Sequence, residues 1–193
     1  MNENKLLLSR NKLILGVTGS VAAIKIPYLV EKLQEIGFQI RLVCTDNSLK
    51  FFSLDTINVP VYRDVDEWTS WKERGDPVLH IELRNWADIL LLAPLTANTL
   101  GKIANGLADN LLTTLARAWS PFDRNHKPVY FAPAMNTQMW QHPFTCEQIE
   151  RLINKLHWKC IHPIEKLLMC GETGIGAMAE VNDIVDCLKQ ELG

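Results

Sequence analysis

No apolar run in the 193 residues approaches the roughly 18 that a membrane-crossing helix needs, so no membrane partner is expected. The opening stretch, MNENKLLLSRNK, has only Leu6 to Leu8 as an apolar piece, too short for the core of a secretion signal. There is no basic surplus either. Twenty Lys and Arg against 22 Asp and Glu leave a net charge of −2, which argues against nucleic acid as a partner. The five cysteines (Cys44, Cys146, Cys160, Cys170 and Cys187) are odd in number, widely spaced and free of any CxxC pair. That pattern fits neither a disulfide framework nor a zinc site, so no metal is expected. Reduced thiols and a cytoplasmic location follow as expectations. No repeat, low-complexity tract or linker breaks the chain, and residues 1–193 are expected to form a single domain.

What is present is an alternation of strand-like and helix-like segments. Leu13 to Thr18 reads as a strand, followed by a glycine–serine turn. An amphipathic helix from about Ser20 to Ile36 carries Val21, Ile24, Leu29, Val30 and Leu33 at helical spacing, and Gly37 stops it. Gln39 to Thr45 is the next strand. The middle is less regular, with DTINVP and a tryptophan-rich piece around Trp68 and Trp71. Ala87 to Pro94 (ADILLLAP) is almost wholly apolar, as suits a strand covered on both faces. A helix from Thr99 to about Trp119, a strand at Pro128 to Pro133 and a helix near Pro143 to Leu156 come next. Short strand-like pieces stand at Lys159 to His162 and Leu167 to Met169, and a helix from about Ala179 to Leu192 ends the chain. This order predicts a three-layer α/β sandwich, flavodoxin-like or Rossmann-like, with a mostly parallel sheet. Ligands of such sheets bind beyond the carboxyl ends of the strands. Thr18 to Ser20, Pro94 to Thr99 and Pro133 to Trp140 all leave strands at that end and are expected to converge.

Five segments carry residues suited to chemistry. GVTGSVAAIK (Gly16 to Lys25) lacks both the G-x-G-x-x-G and the G-x-x-x-x-G-K-[ST] patterns, which points to one phosphate, as in FMN, rather than a pyrophosphate. Its plainer use is a tight turn with Ser20 as N-cap. In Ala93 to Thr113, Thr96, Asn98 and Thr99 either cap the following helix or hold a ligand's polar edge. In APAMNTQMWQHP (Ala132 to Pro143), Met135, Met139 and Trp140 suit a core. Asn136, an amide at a strand exit, can donate to a carboxylate and accept from an N–H. His80, in DPVLHIELRNWAD, is either a hydrogen-bonded, partly buried histidine or a reactive one near the sheet edge. Cys170 precedes Gly171, Gly174 and Gly176, a composition suited to a mobile lid, and a free thiol with an ordinary pKa of about 8.5 has a proton to give at neutral pH. An inert cysteine beside a turn is the alternative.

Together, GSVAA (Gly19 to Ala23), DPVLHIELR (Asp76 to Arg84), APLTANTLGK (Ala93 to Lys102), PAMNTQMW (Pro133 to Trp140) and CGETGIGAMAE (Cys170 to Glu180) resemble the flavin-containing cysteine decarboxylases over Leu13 to Val185. The resemblance implies a trimer with FMN between subunits. FMN would be held by Gly19, Ser20 and Val21, by Thr45 to Asn47, and by Thr96, Ala97, Asn98 and Thr99, with Ala134 near the ring. His80 would be the base or an orienting histidine. Asn136 would clamp the substrate carboxylate and amide, with Met139 beside it and Arg84 contributing to carboxylate binding. Cys170 would be the acid of a reductive half-reaction.

The implied substrate is small, 4'-phosphopantothenoylcysteine. Oxidation of its cysteinyl thiol would give a thioaldehyde, CO2 loss would leave a stabilised enethiolate, and returned hydride with a proton from Cys170 would complete a redox-neutral decarboxylation. The chain departs from the pattern at Asn85, where a second basic residue is usual, and at Thr96, where serine is common. Three alternatives use parts of the same pattern: a peptidyl-cysteine decarboxylase, which needs no reductive thiol, a non-catalytic regulatory relative, and a flavin electron carrier.

Overall fold

The computed structural model describes residues 10–70, 72–120, 127–167 and 173–192. The apolar runs become strands. In chain order these are β1 (Lys12–Val17), β2 (Gln39–Cys44), β3 (Val61–Tyr62), β4 (Ile89–Leu95), β5 (Val129–Pro133), β6 (Lys159–Cys160), β7 (Ile164–Leu167) and β8 (Thr173–Ala177). The helices are α1 (Ile26–Glu35), α2 (Asp64–Ser70), α3 (Leu79–Trp86), α4 (Ala97–Ala104), α5 (Leu111–Ala118), α6 (Thr137–Trp140), α7 (Pro143–Leu156) and α8 (Val181–Lys189). Among the described residues no helix is long and apolar enough to cross a membrane.

Six strands form one sheet in the order β3-β2-β1-β4-β5-β6, and every pair in it is parallel. This is the three-layer sandwich expected, with the 3-2-1-4-5-6 connectivity of the Rossmann-like form. Side chains alternate between the two faces of each strand. Leu13, Leu15, Ile89 and Leu91 face one core with α1 and α8, while Ile14, Leu90, Leu92 and Phe131 face the other with α3, α5 and α7. Being covered on both sides explains why β4 reads as a continuous apolar run: all seven of its residues are buried. Each fully buried leucine or isoleucine contributes about 1.5–3 kcal/mol relative to exposure, so the central strands anchor the sheet.

Several elements differ from the sequence expectation. The first expected helix begins as a 3-10 turn, Val21–Lys25, and α1 starts only at Ile26, with Pro27 in its first turn. The expected helix from Thr99 to Trp119 is two helices. The chain stops α4 at Asn105, turns through Gly106 at φ +76°, and restarts under a capping box in which Asn110 and Thr113 exchange bonds. The irregular middle contains α2 and α3. Of the strand-like piece expected at Leu167 to Met169, Leu167 ends β7, the first arm of an antiparallel hairpin with β8, and the rest lies outside the described residues.

Candidate active site at the carboxyl edge of the sheet

Because β1, β2, β4 and β5 run in parallel, the segments that follow them emerge along one edge. The chain reverses direction across the sheet between β1 and β4, where a doubly wound sheet opens its ligand crevice. Thr18, only 1% exposed, ties that crevice together. Its Oγ1 donates to the Pro94 carbonyl (2.7 Å) and accepts from the Thr96 N–H (2.9 Å), and its own N–H donates to the same carbonyl (3.3 Å). The third segment joins through Ala134, whose N–H donates to the Leu95 carbonyl at 2.9 Å. The expected convergence of the three segments is therefore present in bonded contacts.

Each residue assigned to FMN from the sequence can be placed on this edge. Ser20 is the N-cap of the 3-10 turn, its Oγ accepting from the Ala22 N–H at 3.3 Å. Gly19 lies against the exit of β2: a Cβ there would meet the Asn47 Cβ at 2.8 Å, so only glycine allows the two turns to touch. Val21 and Asn47 are exposed. Thr45 is bonded to β1 through its N–H (to the Val17 carbonyl, 3.1 Å), whereas its Oγ1 is buried with no hydrogen-bond partner among the described residues. Thr96 caps α4, its Oγ1 accepting from the Thr99 N–H at 3.5 Å; Ala97 and exposed Asn98 form the first turn, and Thr99 is buried. Capping and ligand holding are thus compatible uses of one hydroxyl cluster.

The donor set fits a mononucleotide. An orphaned buried hydroxyl at Thr45, hydroxyls at Ser20 and Thr96, and a backbone exposed by the missing side chain of Gly19 suit a phosphate and a polar ring edge. The carboxylate in this stretch, Asp46, is already paired with Arg63 Nη2 at 3.2 Å.

The β5 exit carries Asn136 as the N-cap of α6, its Oδ1 accepting from the Gln138 N–H at 2.8 Å. With that oxygen engaged, the Nδ2 end is the one suited to a carboxylate. Met139 is half exposed and its carbonyl accepts from Thr145 Oγ1 (2.6 Å). Of the three glycines in the expected lid, Gly171 lies outside the described residues, and Gly174 and Gly176 make close contacts with the loop after β5. The Met135 N–H donates to the Gly176 carbonyl at 2.9 Å, and a Cβ on Gly174 would meet Thr137 Oγ1 at 2.4 Å. Glu180 joins the hairpin to the β1 turn, bridging Lys166 (2.9 Å) and Lys25 (2.7 Å), and these two bonds hold its carboxyl down at about 2. Cys170, in the β7–β8 connection, lies outside the described residues.

Gly176 has φ +138°, and a Cβ on it would stand 2.4 Å from the Met135 carbonyl oxygen. Gly176→Ala is therefore expected to lose about 1–3 kcal/mol of stability. Urea unfolding measures it, and an unchanged midpoint would mean that the hairpin does not rest on the loop after β5.

His80 sits in the first turn of α3. Its Nδ1 lies 2.6 Å from Glu67 Oε1 on α2, a partner that sequence reading missed. The helix that carries Glu67 is fixed: one turn before it, Asp64 Oδ1 accepts from the Leu111 N–H at the start of α5 (2.8 Å). Burial pushes the Asp64 carboxyl up, and nearby Asp46, Asp109 and Glu67 add to that against the opposing Leu111 bond. Arg84 lies one turn beyond His80, with Nη1 3.2 Å from Asn85 Oδ1. Among the described residues no hydrogen bond joins His80 to the Thr96 or Asn136 loops. A cavity of about 590 Å³ between the α4–α5 turn and α7, lined by Arg117, Trp119 and Arg151, holds none of the residues expected to act.

The sheet order and its hydroxyl-lined crevice define a doubly wound mononucleotide-binding protein. The family model described as flavoprotein matches residues 1–193, and the chain belongs to that family. Among curated relatives, it is 51% identical over 175 residues to the phosphopantothenoylcysteine decarboxylase of Mus musculus, covering 90% of this chain and 83% of that one. Among solved structures it matches a PPC decarboxylase with a cysteine-to-serine substitution, complexed with pantothenoylaminoethenethiol (TM-score 0.88, 48% identity, 94% and 97% of the two chains). It also matches the FMN binding protein AtHal3 (TM-score 0.85, 48% identity, 94% and 96%).

Proposed function

We propose that the chain catalyses the FMN-dependent decarboxylation of 4'-phosphopantothenoylcysteine to 4'-phosphopantetheine, a step of coenzyme A biosynthesis. The observation that carries this is the likeness, at 48% identity over nearly the whole chain, to a decarboxylase holding a pantothenoyl enethiol. FMN would rest on Gly19, Ser20 and Val21 at its phosphate, on Thr45 and Asn47, and on Thr96 to Thr99, with Ala134 near the ring. The bound flavin supplies the electron sink that a saturated carbon lacks, taking two electrons from the cysteinyl group and returning them.

The chain's own residues bind the substrate and move protons. His80 receives a proton in the oxidation, Asn136 Nδ2 donates to the carboxylate beside Met139, Arg84 adds positive charge, and Cys170 gives a proton to the product. The proposal includes a homotrimer with sites between subunits, in which the exposed side chains of Trp68 (79%), Phe144 (62%) and Ile24 (58%) are available as apolar contacts. His80 would then meet the cofactor loops of a neighbour.

The test is direct. The purified protein should be yellow, release FMN on denaturation, behave as a trimer in light scattering, and form CO2 and 4'-phosphopantetheine in equal amounts. A colourless protein that FMN does not reconstitute, or one that forms no CO2, would overturn the proposal.

A further inference from the structure

We infer that Glu67 is the positioning residue of His80, fixing which ring nitrogen takes the proton. His80 Nδ1 and Glu67 Oε1 are 2.6 Å apart, and the two side chains are only 21% and 14% exposed. A carboxylate has no proton to donate, so the proton shared in this contact belongs to Nδ1. Nε2 is then the acceptor nitrogen. A ring free to rotate would present either nitrogen, but this one is held by a short bond to a shielded partner.

The partner itself is anchored. Asp64, three residues earlier on α2, caps α5 through the Leu111 N–H, and Asp66 Oδ2 accepts from the Arg63 N–H at 2.7 Å. Glu67 therefore comes from a helix fixed against α5 rather than from a loose side chain. When Nε2 takes a proton, the N–H bond forms as the donor's bond to that hydrogen breaks, and the electron pair stays on the donor atom. The resulting imidazolium keeps its hydrogen bond to an adjacent negative charge. This inference rests on the role proposed for His80 in the decarboxylation.

The experiment compares FMN-loaded wild type with Glu67→Gln, Glu67→Asp and His80→Asn, using nitrogen NMR of 15N-histidine-labelled protein and steady-state kinetics. His80→Asn assigns the His80 signals. The wild type is expected to show one tautomer, with Nε2 unprotonated, and Glu67→Gln a mixture. In Glu67→Gln, kcat should fall at least roughly 10- to 100-fold with KM little changed, the range seen when a hydrogen-bond partner that orients a metal-bound histidine is lost. Glu67→Asp keeps the acceptor and should recover most of both. Glu67→Gln with the wild-type tautomer, or with wild-type kcat while His80→Asn is inactive, would overturn the inference, as would Glu67→Asp failing as badly as Glu67→Gln. Full turnover by His80→Asn would instead remove His80 from the reaction and leave the function assigned to it, rather than the pair, at fault.

Discussion

His80→Asn is expected to give a folded, yellow protein whose CO2 release from 4'-phosphopantothenoylcysteine falls about 100- to 10,000-fold, the usual range for a lost acid–base group. Asparagine is close in size to the inner half of imidazole, and its NH2 can still donate toward Glu67 Oε1, the partner His80 has at 2.6 Å. The α2–α3 contact should survive, so unfolding is not the expected cause of the loss. What disappears is the acceptor nitrogen on the far side of the ring. Under anaerobic conditions the loss should appear at the first step, as failure of the substrate to bleach the flavin. Bleaching at the wild-type rate would remove His80 from the oxidation.

Cys170→Ser should separate the two halves of the reaction. Oxidation and CO2 release are expected to continue in air, where dioxygen takes the two electrons from the reduced flavin, while the saturated product falls by a comparable 100- to 10,000-fold and the enethiol accumulates. A hydroxyl holds its proton far more tightly than a thiol does. A related PPC decarboxylase with a cysteine-to-serine substitution holds an aminoethenethiol, which agrees with such an outcome. Two other thiols are poor substitutes: Cys44 and Cys160 are pushed up by burial to about 11 and about 12. Mass spectrometry of the product decides the matter, since the enethiol is lighter by two hydrogens. Full formation of 4'-phosphopantetheine by the variant would refute the assignment of Cys170.

The central strands were legible because burial on both faces leaves a mark that survives without partners. Ile89 to Leu95 reads as apolar at every position because helices cover both sides. The exits of β1, β4 and β5 were legible too, since a parallel sheet sends them to one edge. Less visible were features set by distant packing. The break at Asn105 to Asn110 was signalled only by Gly106 and a capping pair inside an otherwise helical run. α3 buries only Leu83, too little to imprint a period on DPVLHIELR. Gly174 and Gly176 signalled an unusual backbone, and the structure adds what their composition could not show, that a neighbouring loop fits against them. Glu67 carried no signal at all: its thirteen-residue separation from His80 becomes a contact only when two short helices meet.

Thr18 has one further consequence. Because Thr18, in the turn after β1, is bonded through its single hydroxyl to Pro94 at the end of β4 and to Thr96 just beyond it, the seats proposed for a phosphate and for a ring edge would stand at a separation set by the protein and not by its guest. A nucleotide of the right length then settles without having to organise either seat, and little of its affinity is spent on stiffening the host. On the proposed FMN seating, longer or shorter nucleotides would find one end matched and the other hanging, and the span between two strand exits would act as a gauge for the cofactor.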